Sequence, residues 1–169
     1  MSFSDGAYAE VPYLTVKWLH VLSSTFLFGT GLGSAFYMLF TSLTRDVRAT
    51  AVVVRYVVLA DWVFTTPAIV LQPLTGFYLI HLAGFPVGSA WIAWSIALYL
   101  LAGAAWLPVV WMQLRMRDMA QGALDADAAE LPALYWKYLR CWVALGIVAF
   151  LSLVVVFYLM VAKPVALAR

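Results

Sequence analysis

The stretch CWVALGIVAFLSLVVVFYLMV, Cys141 to Val161, contains no charged residue. About 20 apolar residues in a helix cross the hydrocarbon core of a bilayer. Working outward, this stretch is the body of an apolar block at about 134–161, and three more blocks precede it at about 13–40, 52–82 and 90–114. Hydrophobic residues make up 66% of the 169-residue chain and charged residues 11%. A soluble domain shows roughly 45–50% and roughly 25%, so the chain has too few charges to cover a water-facing surface of its size. Backbone groups in lipid must be satisfied within the segment, which predicts helices, and no short alternating segments of a membrane barrel are visible.

The connections are short. Thr41 to Thr50 carries Arg45, Asp46 and Arg48. AGFPVGS, Ala83 to Ser89, is a Gly/Pro turn, and Arg115 to Ala133 reads as the longest loop. Short links join antiparallel neighbours. The expected fold is therefore an all-α membrane protein: a single domain forming an antiparallel up-down-up-down bundle of four transmembrane helices.

Basic residues orient it. Arg45, Arg48, Arg55, Arg115, Arg117, Lys137 and Arg140 gather on one side, while the other holds Lys17, Lys163 and Arg169. The positive-inside rule places the first side in the cytoplasm of a bacterial inner membrane and both termini on the periplasmic face. The N-terminus, with Asp5 and Glu10 and no basic segment, reads as leading into an uncleaved first helix. One cysteine, Cys141, rules out an intrachain disulfide. No run of Lys or Arg suggests nucleic acid.

Ionisable groups inside the membrane are costly and mark candidate sites. In KWLHVLSSTFLFGTGLGSAF, Lys17 to Phe36, His20 heads a stripe of small residues, with Ser24 about 40° and Gly31 about 20° from it around the helix. An imidazole above such a groove suits an axial ligand of a membrane b-type haem. A hydrogen-bonded interfacial histidine beside a packing groove suits the residues equally. Lys17 and Lys163 stand near enough in the pattern to meet haem propionates, or they snorkel to the interface. His81, on the same membrane side, is a candidate second ligand or an interfacial histidine. Gly29 and Gly33 form a GxxxG pair, expected to pack against another helix.

In the second block Asp61, Thr65, Gln72 and Thr75 fall on one face of an unbroken helix, within about 40° of Asp61, although Pro67 and Pro73 are expected to kink it. A buried Asp61–Arg140 pair is the structural expectation for this face, and proton or substrate handling the functional one. The six methionines do not cluster into a sulfur ligand set.

Four stretches carry a resemblance over nearly the whole chain. They are KWLHVLSSTFLFGTGLGSAF, LADWVFTTPAIVLQPLTGFYL (Leu59–Leu79), LPVVWMQLRMRDMA (Leu107–Ala120) and FYLMVAKP (Phe157–Pro164). By these the chain resembles the bacterial predicted integral membrane proteins grouped as domain of unknown function 2269, a name that implies no activity. Lys17, His20 and Gly29, with VAKP at Val161–Pro164, are also similar to the haem-containing bacterial protoporphyrinogen oxidases. That resemblance implies haem b held by His20. It does not carry the reaction, because the lysine of that family's third helix has no counterpart in Ala90–Leu114. Copper-resistance membrane proteins share a similar histidine pattern in the first helix. Two functions follow as expectations: a haem redox protein exchanging electrons with quinone or with another membrane or periplasmic redox protein, and a cofactor-free accessory or scaffold subunit of an oligomer or larger membrane complex.

Overall fold

A computed structural model describes residues 3–163, with side chains from Val11 onward. Pro164 and Arg169 lie outside the described residues, as do the side chains of Asp5 and Glu10. Helix α1 spans Phe3–Leu43, α2 Val47–Ala60, α3 Thr66–Ala83, α4 Ala90–Asp125 and α5 Ala133–Ala162. A single π-helical turn, Asp61–Thr65, joins α2 to α3 into one continuous span. Four spans are long and apolar enough to cross a membrane: Val11–Leu43, Val47–Ala83, Ala90–Asp125 and Ala133–Ala162.

The spans form a closed antiparallel ring. α1 packs along α2 and α3, α2 along α4, α4 along α5, and α5 returns to α1. Connections are tight. Asp46 caps α2 by accepting the Ala49 N–H at 2.9 Å. Gly84 ends α3 with φ of 66°, a left-handed conformation that glycine adopts without strain. The loop expected at 115–133 is mostly helix. α4 continues to Asp125 because Met116, Ala120 and Ala123 repeat at helical spacing and bury against the bundle, leaving the charged residues outward. The connection proper is only 126–132.

The main core lies at the arginine-rich end. Met38, Val54, Val57, Met112, Met116 and Tyr135 are among its buried members. There the Tyr135 and Ser42 hydroxyls share a 2.7 Å hydrogen bond that ties the start of α5 to the end of α1. Large apolar side chains elsewhere, such as Leu100, Leu107 and Tyr158, are exposed on the outer surface of the ring, as lipid-facing side chains are.

Two prolines interrupt the second span, and each break is answered differently. Pro67 has no N–H, and its ring crowds the carbonyl of Val63. The chain widens there into the π turn, in which the Thr66 N–H bonds to the Asp61 carbonyl. Pro73 likewise leaves the Ile69 carbonyl without its helical donor, and the Tyr99 hydroxyl of α4 donates to that carbonyl at 2.6 Å. With no water at this depth, a side chain from a neighbouring helix is the available substitute.

The repair can be tested as a coupled pair. Tyr99→Phe should destabilise the bundle by about 1–2 kcal/mol, measured by reversible unfolding in mixed micelles. In a Pro73→Ala background, where the backbone donor returns, the same substitution should cost close to nothing. Equal costs in both backgrounds would mean that the hydroxyl does not serve the proline break.

Candidate functional site

The second span presents two polar groups, not one face. The π turn adds a residue to the helical count, which rotates everything beyond it by about 100° relative to an unbroken helix. Asp61 faces Gln113 of α4 across a cleft, and Gln72 and Thr75, beyond the turn, are consequently carried toward α1. The single stripe expected from 100° steps is thereby divided.

The group at α1 is a hydrogen-bonded clasp. Gln72 Nε2 donates to the His20 carbonyl at 2.7 Å and to Ser23 Oγ at 2.6 Å. The Ser23 hydroxyl donates to the same His20 carbonyl at 3.1 Å. His20 Nδ1 lies 2.7 Å from Thr75 Oγ1. The Thr75 hydroxyl has one proton and directs it to the Leu71 carbonyl at 2.6 Å. Its oxygen is then the acceptor, so Nδ1 carries the proton and Nε2 of the neutral ring is left as a bare lone pair. Gly76 makes room for this arrangement: a Cβ there would stand 3.3 Å from His20 Cε1 and 3.9 Å from Nδ1, with Nε2 beyond 4 Å.

Other candidates are placed less centrally. Ser24 donates to the Val21 carbonyl of its own helix at 2.7 Å. Gly29, Gly31 and Gly33 would each admit a Cβ with nothing within 4 Å. The expected GxxxG packing of Gly29 and Gly33 is therefore not made within this chain, because no described helix comes that close. Lys17 lies over the Tyr13 ring at 5.7 Å. Lys163, which ends α5 in a left-handed conformation, reaches over Phe85 at 4.7 Å and Trp91 at 6.0 Å. His81 is exposed, six residues and about 9 Å of helix rise beyond Thr75. The structure does not bring it to His20. No group of three metal-binding side chains occurs among the described residues.

The expected Asp61–Arg140 pair is not formed. Arg140 is exposed, beside Leu139 and Trp142, which take the inward face of α5. The one ion pair among the described residues joins the neighbours Arg117 and Asp118 at the surface. Asp61 is buried, and its Oδ1 accepts the Thr65 hydroxyl at 2.8 Å. Sequence reasoning did not select Ser23 or Gly76. Ser23 lies about 60° from His20 on the side opposite Ser24, and helical angles alone cannot choose between adjacent serines. Gly76 shows its purpose only once the imidazole lies against it.

Four apolar spans closed into a ring, with an imidazole held by a polar clasp between two of them, define an integral membrane protein. The chain belongs to the family described as predicted integral membrane protein (DUF2269), whose model matches residues 14–164. No curated protein and no solved structure gives a significant match. The similarity to haem-containing oxidases thus gains no support from these comparisons.

Gln72 is the only side chain donating from α3 to both His20 and Ser23. Gln72→Leu should therefore lower stability by about 1 kcal/mol and loosen α1 from α3. The check is unfolding in mixed micelles together with hydrogen exchange of the α1 amides around His20. Unchanged exchange there would show that the clasp does not hold the two helices together.

Proposed function

We propose that the protein binds haem b through His20 and serves membrane electron transfer. The observation behind this reading is the 2.7 Å contact between His20 Nδ1 and Thr75 Oγ1; with Thr75 accepting, the proton sits on Nδ1 and Nε2 takes the form in which imidazole ligates iron. A metal-bound histidine typically donates its other ring N–H in this way. The open glycine stretch at Gly29, Gly31 and Gly33 adds room for a flat ligand along α1. His20 would be the single protein ligand, with Gln72 and Ser23 holding its backbone in place. Lys17, one turn further toward the helix end, is the nearer candidate partner for propionates, since Lys163 is engaged over Phe85 and Trp91. Bound haem supplies one-electron chemistry. Quinone or a second membrane or periplasmic redox protein is the partner class. In this reading the arginine-rich end faces the cytoplasm of a bacterial inner membrane and both termini face the periplasm.

A second reading rests on the same glycines. With nothing within 4 Å of Gly29, Gly31 or Gly33, that face of α1 also suits another membrane protein's helix, and the chain would then be a cofactor-free accessory subunit.

Absorption spectra separate the two. Protein purified in mild detergent from haem-replete cells should show a Soret band, with α and β bands on dithionite reduction, and His20→Ala should abolish them. Thr75→Val should retain the pigment but weaken its binding by about tenfold or more, as loss of a hydrogen bond behind a metal ligand does. Wild-type protein without a Soret band would overturn the haem reading and leave the accessory role, to be pursued through partners that co-purify.

A further inference from the structure

The second polar group, at the π turn, has no part in the clasp around His20. Asp61 is 7% exposed and Thr65 3%, in the middle of the Val47–Ala83 span. Across a narrow cleft from the Asp61 carboxyl lies Gln113 of α4, itself 2% exposed. Thr66, apolar Val58, Val110 and Leu114, and the rings of Trp62 and Trp106 also line the cleft.

Among the described residues no cation pairs with this carboxyl. On α1, the stretch between His20 and Arg45 contains one titratable residue, Tyr37, which is exposed. On α2, Arg55 is exposed and its guanidinium lies over Tyr56. On α3 the one charged or titratable group besides Tyr78 is His81, at the far end, and Tyr78 is exposed. On α4, Tyr99 is bonded to Ile69, and Arg115 lies over Trp111. A carboxylate with neutral hydrogen-bond partners and no cation is a costly object in a membrane interior, and such groups neutralise instead.

We infer that Asp61 is a proton-binding site: a carboxylic acid that keeps its proton at neutral pH, with the Thr65 hydroxyl donating to Oδ1 and the acid O–H on Oδ2 donating to the amide oxygen of Gln113. Each carboxyl oxygen then has a complementary partner. Oδ1 accepts from Thr65 at 2.8 Å, which makes it the carbonyl oxygen and assigns the proton to Oδ2. The π turn sets the site apart, since the rotation it introduces carries Gln72 and Thr75 away toward α1 and leaves Asp61 facing α4. The bound species is a proton.

Infrared spectroscopy of the full-length protein in lipid at pH 7 reads this directly, because a protonated carboxyl has a C=O stretch that carboxylates lack. The other acidic side chains described, Asp46, Asp118, Asp125, Asp127 and Glu130, are exposed at the surface. The expected result is one carboxylic-acid band in the wild type, lost in Asp61→Asn and displaced in Gln113→Leu. No such band in the wild type overturns the inference, whatever the variants do. A band that survives in Asp61→Asn assigns the proton to another residue and overturns it as well. A band unmoved by Gln113→Leu removes Gln113 as the acceptor.

Discussion

The constraint on which everything else depends is that a backbone carbonyl inside a membrane has no water to turn to. Pro67 and Pro73 each remove one helical donor from the second span. At Pro67 the chain responds by changing its own pitch. At Pro73 it borrows a donor, the Tyr99 hydroxyl, from the third span. The first solution rotates Gln72 and Thr75 toward α1 and out of line with Asp61, and the second fastens α3 to α4. The positions of both polar groups thus follow from how two missing N–H groups are compensated.

The architecture was readable from composition and block length because a bilayer leaves few options. Four apolar blocks separated by short polar connections can only be helices, and short connections make them antiparallel. The ends were less readable. α4 runs past Leu114 to Asp125 because the alternation of buried Met116, Ala120 and Ala123 with outward Arg115 and Asp118 marks an amphipathic helix, not a loop. Charge density signals a departure from the membrane core but says nothing about where a helix stops.

The sites were readable residue by residue and misjudged in their grouping. Asp61, Gln72, Thr75 and His20 stood out because polar atoms are expensive among apolar ones. Their partners depended on a rotation that 100° steps cannot contain, since a π turn leaves no distinct mark in sequence beyond a nearby proline. The Asp61–Arg140 pairing failed for a related reason. Similar depth in two helices does not place their side chains on facing sides, and Leu139 and Trp142 already occupy the inward face of α5. Ser23 and Gly76 entered only through contact with His20.

The uneven distribution of the core gives the bundle a mechanical polarity. Met38, Val54, Met116 and Tyr135 pack the arginine-rich end in the main core, whereas at the His20 end the contact of α1 with α3 includes the hydrogen bonds of Gln72 and Thr75. Close-packed interiors resist displacement, and sparse polar contacts can be exchanged for others at little cost. The molecule is built like a pair of tongs with a stiff base. Anything that competes for the Gln72 or Thr75 hydrogen bonds would open the tips while leaving the hinge intact, so motion at the His20 end need not compromise the fold.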